Sequence, residues 1–378
     1  MLRIAELSDI HWGHPNTPAS HIMRGLYRDF ADNSETAALD IIFFAGDIWD
    51  RLLNLPDDAV YDSMTFIVYL FKLAKKYNIS VRALEGTPSH EWKQTRLFDF
   101  INKLIGELNS QPGGFVDFRY VADMEIEHIE RFGIDVLYIP DEYKPTCEET
   151  WACVVEKLQE HKLEQVDYIV MHGQFPHQMP KSIHNQLQMH DPERYLSITR
   201  KYIFVGHIHR QSQYERILAS GSYDRLSHGE EEPKGHYRLT IHDDGYDDIV
   251  FVENKTAQKY VTVNCQDLDE HRAKEKIERA AIRLPKGSFI RIKCKRHDAA
   301  MSLIDSFQNQ FYDLQWSSVE TGKPSKADAP ILTDNRSELK VVQITRDNIA
   351  GRLLGRVAAK HPKLVPRCTE RLMETIDE

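Results

Sequence analysis

Five short stretches hold the residues with chemical potential. They are Ser8-Asp9-Ile10-His11, Gly46-Asp47-Ile48-Trp49-Asp50, Gly86-Thr87-Pro88-Ser89-His90-Glu91, His172-Gly173 and Gly206-His207-Ile208-His209. Each brings a carboxylate, an imidazole or both, and none brings a cysteine. Such donors suit manganese, iron or zinc in an open site rather than a closed structural zinc cage. Taken singly, each stretch is commonplace. Gly-Asp pairs occur in many turns, and with 18 histidines a His-x-His is no rarity. Taken together they are not, because nothing in folding asks for five polar ends after five apolar runs. Burying them together would cost on the order of several kcal/mol for each unpaired charge. A bound dication removes that penalty.

The elements that must position these residues are the apolar runs before them: 2–7, 41–45, 79–84, 168–171 and 202–205. A further run, 134–139, and helical periodicity over 59–77 and 147–161 complete an alternation of strand and helix. Strands buried on both faces and separated by helices predict a layered α/β domain, whose sites form at the carboxyl ends of the strands. After Gly206 the pattern changes to a hairpin, 237–242 and 248–252 around Asp243-Asp244-Gly245. A second unit starts near residue 255, with strands at 259–263 and 289–294 and helices at 269–281 and 299–311. Residues 321–330 (TGKPSKADAP) have linker composition. Beyond them come a short strand at 339–344 and helices at 347–360 and near 369–375. The expected division is therefore 1–254, 255–320, a linker at 321–330, and a helical segment at 331–378.

Composition limits the function classes. The 378 residues carry 48 Lys+Arg against 58 Asp+Glu, a net charge of −10, with 41% hydrophobic and 28% charged residues. That excludes a disordered or fibrous chain. No apolar run approaches the roughly 20 residues of a membrane span. The start shows no secretory pattern, and five cysteines (Cys147, Cys153, Cys265, Cys294, Cys368) lack metal spacing, which predicts reduced thiols in the cytoplasm. The charge is uneven: −15 over 1–256, +2 over 257–320 and +3 over 321–378.

The order Asp-x-His, Gly-Asp-x-x-Asp, Gly-Asn-His-Asp/Glu, His-Gly, Gly-His-x-His resembles that of the calcineurin-like metallophosphoesterases. The stretch Gly221-Ser222-Tyr223-Asp224-Arg225-Leu226-Ser227-His228-Gly229-Glu230-Glu231 looks like a segment of SbcD-type DNA repair nucleases, the bacterial and phage counterparts of the Mre-eleven nuclease. These motifs cover residues 1 to about 255. The resemblance implies a four-layer α/β/β/α sandwich, a small α/β capping domain and a helical C-terminal tail. It implies that Asp9, His11 and His209 hold one metal, that Asp47 bridges, and that His172 and His207 hold the second. His90 becomes the catalytic histidine, with Asp50 beside it in the catalytic set. The cofactor implied is two Mn(2+) ions per chain, with Mg(2+), Fe(2+) or Zn(2+) as substitutes. Two ions about 3.5–4 Å apart can clamp the attacking and leaving oxygens of a phosphodiester and activate water. The implied work is exonuclease or endonuclease cleavage in DNA repair and recombination, as a homodimer with an SbcC-type coiled-coil ATPase, in the host cytoplasm if phage-encoded.

The chain departs from the family at the third motif. The family has Asn directly after Gly, as a metal ligand. Here two extra residues intervene, and aligning His90 puts Ser89 in that place. A serine hydroxyl is a shorter and poorer ligand than an amide carbonyl, so the second metal is expected to be weakly held, or completed by water or another side chain such as Thr87. The alternatives are a phosphodiesterase or phosphatase of small substrates, or an inactive scaffold that binds DNA and the ATPase.

In a net-acidic chain, local basic residues must do any docking on DNA. Residues 289–296 alternate, with Phe289, Arg291, Lys293 and Lys295 on one face and Ile290, Ile292 and Cys294 on the other. This face reads equally well as a solvated strand face. Arg225 joins it as a candidate DNA contact. The stretch 176–200 reads as a surface loop or as a lid beside the metals, with His14, His184 and His190 expected at the solvent. In the tail, Ile349, Leu353 and Val357 form an apolar stripe suited to docking on the ATPase.

Overall fold

The computed structural model describes residues 1–108, 114–243, 245–295 and 298–320. The expected linker at 321–330 and helical segment at 331–378, with its ATPase-docking stripe, lie outside the described residues, as does Cys368.

The fold is mixed α/β. Its strands, numbered along the chain, are β1 (Leu2–Leu7), β2 (Ile41–Phe44), β3 (Ser80–Leu84), β4 (Phe118–Val121), β5 (Glu125–Ile129), β6 (Ile134–Ile139), β7 (Val166–His172), β8 (Thr199–Gly206), β9 (Ser212–Tyr214), β10 (Ile217–Ala219), β11 (Gly235–Ile241), β12 (Asp247–Glu253), β13 (Tyr260–Asn264), β14 (Phe289–Cys294) and β15 (Gln315–Glu320). Two six-stranded sheets run in the orders β12-β11-β1-β2-β3-β4 and β5-β6-β7-β8-β10-β9. Strands β1 to β4 are mutually parallel, as are β6, β7 and β8. The hairpin β11–β12 joins the first sheet antiparallel to β1. The helices are α1 (Ala19–Asp29), α2 (Ser34–Ala37), α3 (Asp58–Tyr77), α4 (Pro88–Glu91), α5 (Arg96–Leu108), α6 (Cys147–His161), α7 (Pro192–Ser197), α8 (Glu270–Ala281) and α9 (Ala299–Gln310).

Local chemistry accounts for the boundaries. Helix α3 begins where the Asp57 carboxylate accepts from the Ala59 amide and ends at Asn78 in the left-handed conformation. Helix α6 opens on a capping box, Thr146 with Glu149, and covers the range the sequence predicts. Alternation then sorts the side chains. Ile42 and Phe44 of β2 pack with the helical side chains Ile22, Leu26, Phe66, Ile67, Leu70 and Phe98. Ile41 and Phe43 face the other way, in a cluster drawing Ile4 and Leu84 from the first sheet and Tyr138, Tyr168, Val170, Phe204 and Leu218 from the second. A third cluster sets β6 to β8 against α6 and α7. Strands buried on both faces are why the sequence shows continuous apolar runs there.

One polar contact also ties the two sheets. Arg82 on β3 is 3% exposed, and its guanidinium donates to the Glu127 carboxylate of β5 at 2.9 Å. The Tyr138 hydroxyl of β6 donates to the same carboxylate at 2.9 Å. Burial works against the Arg82 charge, and Glu127 more than restores it, holding the guanidinium above its usual range.

Residues 260–320 form a separate three-stranded parallel sheet, β13-β14-β15, with α8 and α9 packed on it around Ile277, Ile290, Ile292, Ile304 and Phe307. This unit is tied to the first sheet's loops: the Asp224 carboxylate accepts from the Gln258 amide at 2.6 Å, and Thr17 meets the Tyr260 hydroxyl at 3.4 Å. The sequence pattern does not single out α1, α5, β4, β5 or β15. Strand β15 has only partial burial, so its residues lack an apolar period.

Two outcomes follow from buried groups. Glu127→Ala strands the Arg82 charge in the core and should destabilise the protein by about 3–5 kcal/mol, measured by urea unfolding. His236 on β11 is fully buried, and burial, then the Arg238 and Arg28 charges, push its ring down to about 3. The unfolded ring titrates near its ordinary 6.5, so between these values the unfolded chain holds one proton more. This contribution is intact above about pH 6.5 and is lost as pH falls, at about 1.4 kcal/mol per pH unit. His236→Gln should flatten the pH 4–6 slope of unfolding free energy by that amount.

Candidate metal centre

Because β1, β2 and β3 are parallel, as are β6, β7 and β8, their carboxyl ends share an edge within each sheet. Asp9 and His11 follow β1, Asp47 and Asp50 follow β2, and Thr87 and His90 follow β3. Asp141 follows β6, His172 closes β7, and His207 and His209 follow β8. These residues converge into four donor groups, each with its ligand atoms within 4.8 Å of one another: Asp9-His11-His209, His11-Asp47-His90, Asp9-Asp47-His172 and Asp141-His172-His207.

Asp47 is the hub. Its Oδ2 lies 3.0 Å from His90 Nδ1, 3.4 Å from His172 Nε2 and 3.8 Å from His11 Nε2. Its Oδ1 accepts from the Thr87 amide at 2.6 Å. Burial pushes the Asp47 carboxyl up, but the surrounding His172, His90 and His11 rings outweigh it and hold the group well below its usual range. Burial likewise pushes His172 down, and the Asp47 carboxylate beside it wins, holding the ring well above its usual range.

The imidazoles are oriented from behind. His172 Nδ1 is 2.7 Å from the Ala45 carbonyl, which makes Nδ1 the donor and frees Nε2 as a ligand atom. His11 Nδ1 lies 3.2 Å from Asp50, and His209 Nδ1 lies 3.4 Å from Glu230. Glu230 is itself buried against Lys234 at 3.0 Å. Burial raises its pKa, and His209 and Lys234 together hold it well below the usual range.

The backbone bears the same signature. Asp9 (φ 49°), His11 (φ 53°), Asp47 (φ 49°) and His207 (φ 101°) are non-glycine residues with positive φ. Such residues cost about 1–3 kcal/mol each and persist where the surroundings over-determine them. Here the loops are stitched together: Asp9 N donates to Gly46 O at 3.0 Å, His11 N to Asp47 O at 3.1 Å, and the Asp9 carboxylate accepts from His207 N at 3.1 Å. Gly206 permits the closest approach. A Cβ there would stand 2.3 Å from Ala45 O and 2.7 Å from His172 Nδ1.

A pair of divalent cations fits this donor set. His11 Nε2 and His209 Nε2 face each other at 3.0 Å, and the buried His207 Nδ1 has no hydrogen-bond partner. Imidazole nitrogens and carboxylate oxygens turned toward a common space are what an ion resolves.

Every expected ligand histidine and aspartate lies in this group, and His90 and Asp50 border it. Ser89 does not join. It sits on the one-turn α4, its carbonyl accepts from the Trp92 indole at 2.7 Å, and among the described residues no hydrogen bond ties its hydroxyl to the cluster. Thr87 takes that place, its hydroxyl 3.2 Å from Asp47 and 3.1 Å from Asp141. Asp50 touches His11, not His90, at hydrogen-bond range.

The expectation of a DNA contact at Arg225 needs correction. Arg225 is 7% exposed, and its guanidinium donates to the carbonyls of Gln258, Glu231 and Glu232 at 3.3, 3.3 and 2.9 Å. It braces the loop interior and the start of the third sheet. Arg291 and Lys293 do stand on the half-buried face of β14, opposite Ile290 and Ile292. Lys295 lies past the strand end and pairs with Asp267. His190, expected at the solvent, is 8% exposed beneath Gly173, bonded to the Tyr195 hydroxyl at 3.0 Å, and burial pushes it down to about 4. His14 and His184 are half-buried. The stretch 176–200 packs inward in part, with His177 stacked on Tyr214 at 5.0 Å.

Sequence reasoning missed Asp141, Thr87 as a direct neighbour, Glu230 as the support of His209, and Glu91. The buried Glu91 carboxylate accepts from the Ile48 and Trp49 amides and so shapes the Asp47 loop. The signal for Asp141 was present: it is the polar end of a sixth apolar run.

No protein-family model matches the chain, and no curated protein does. Solved structures with some likeness include GAP50, the anchor in the inner membrane complex of Plasmodium, at 13% identity, 68% of this chain, 86% of that chain and TM-score 0.37. Another is TT1561 of Thermus thermophilus, at 11% identity, 66% of this chain, 98% of that chain and TM-score 0.39. Likenesses of this level decide neither family nor activity. Among the described residues, no helix is long and apolar enough to cross a membrane.

Glu230→Gln keeps the shape of the support behind His209 and removes its charge. It should weaken manganese binding by about ten- to a hundredfold in calorimetric titration, with the far-UV circular dichroism unchanged.

Proposed function

We propose that this chain is a metal-dependent DNA nuclease subunit of the SbcD type, in a four-layer α/β/β/α sandwich capped by the 255–320 unit. The observation that carries the reading is the convergence around Asp47: imidazoles and carboxylates from strand ends of both large sheets meet at one edge, with their loops held in costly backbone conformations. Two divalent cations, manganese by preference, would neutralise the phosphate and lower the pKa of water there. The Asp9, His11 and His209 donors would hold one, the His172 and His207 donors the other, with Asp47 shared. The chain's own part is to hold that geometry and to move a proton. His90, anchored through Nδ1 to Asp47 and 17% exposed, is the group placed to assist the leaving oxygen. Arg291 and Lys293 are the proposed phosphate contacts of the cap. A homodimer, an SbcC-type ATPase partner and a cytoplasmic setting complete the proposal and rest on the motif resemblance alone.

The test is manganese-dependent cleavage of end-labelled linear DNA. Wild-type protein should cut, a chelator should abolish cutting, and His90→Ala should slow it by about 10²–10⁴-fold with metal uptake retained. Hydrolysis of a nitrophenyl phosphodiester without cleavage of DNA would move the reading to a small-substrate phosphodiesterase. DNA binding without either reaction would leave a scaffold.

A further inference from the structure

Resting on the two-cation reading above, we propose that Asp141 is a ligand of the second ion, in place of the asparagine that the third motif lacks, and that Thr87 positions it. Asp141, His172 and His207 offer donor atoms within 4.8 Å of one another, and the Asp141 side chain is 11% exposed. Its Oδ2 stands 3.5 Å from His207 Nδ1, a buried ring nitrogen with no hydrogen-bond partner. On the other side of the group, His172 presents Nε2, because Nδ1 is committed to the Ala45 carbonyl. The remaining neighbour is Thr87, whose hydroxyl lies 3.1 Å from Asp141 Oδ2, 3.2 Å from Asp47 Oδ2 and 3.5 Å from His172 Nε2.

A hydroxyl has one proton and cannot donate to both carboxylates at once. Two carboxylates, two imidazoles and one hydroxyl proton therefore leave negative charge and lone pairs unanswered in a mostly buried space, the condition a dication satisfies. The consequence reverses the expectation drawn from Ser89. An amide is a neutral ligand, whereas Asp141 adds a charge, giving the second position the set Asp47, Asp141, His172 and His207. Two carboxylates with two imidazoles favour a hard or borderline divalent ion and hold it more tightly than a serine hydroxyl would.

The experiment uses the full chain, stripped with a chelator and titrated with Mn(2+). Uptake is followed by calorimetry and by the electron paramagnetic resonance signal of free Mn(2+). Wild-type protein should take up two ions. Asp141→Ala should keep the first and weaken the second by about tenfold or more, beyond what loss of an outer partner usually costs at its lower end. Asp141→Asn, which restores the neutral amide, should fall between them. Thr87→Val should keep both ions and weaken the second less than Asp141→Ala does. Two ions of unchanged affinity on Asp141→Ala overturn this inference and leave the metal centre standing, as does a wild-type chain that takes up only one. If Asp141→Ala loses both ions, Asp141→Asn decides: retention of the first supports the inference and loss of both overturns it. A wild-type chain that takes up none overturns the proposed function and this inference together.

Discussion

A single buried carboxylate sets the terms for the rest of this molecule. Asp47 is 1% exposed and sits in a left-handed backbone conformation. A charge so placed survives only with close partners. The His11, His90 and His172 rings and the Thr87 amide and hydroxyl supply them, and they come from the ends of three different strands. Each partner needs its own support: Asp50 behind His11, the Ala45 carbonyl behind His172. The loops are thus mutually determined. None can relax without stranding a buried ionisable group, which is how the backbone strain at Asp9, His11, Asp47 and His207 is tolerated.

The scaffold that permits this is apolar and continuous. Parallel strands deliver their carboxyl ends to one edge, and a cluster shared by Phe43, Tyr138, Tyr168 and Phe204 holds the faces of both sheets. The Arg82–Glu127 pair adds a directional tie between them. Such a pair contributes little net stability but makes a wrong register expensive, because a slip would leave either charge unpaired in the core. Precision at the site and register in the core therefore depend on one another.

The charged supports also separate two kinds of buried polar residue. Glu230, Glu91 and Arg225 are as buried as the ligand candidates, yet they face loop amides, carbonyls or ring nitrogens turned away from the shared space. They shape the loops. Asp9, Asp47, His172 and His209 face one another. Burial alone does not distinguish the classes, whereas the direction of the remaining lone pairs does.

Local patterns in the chain determined a great deal. The apolar runs at 2–7, 134–139 and 289–294 became strands as read, and 147–161 became a helix, because period and capping are properties of neighbouring residues. The six expected ligands also came together, since each follows its run directly. What local pattern could not decide is which strand ends face each other. Asp141 and Thr87 are 54 residues apart and meet only because β6 and β3, in different sheets, end at the same edge. The same holds for Arg225, whose type suggested a phosphate contact until folding surrounded it with carbonyls, and for His190, buried by a loop rich in polar residues. Periodicity reports a residue's own face, and long-range packing alone decides what that face meets.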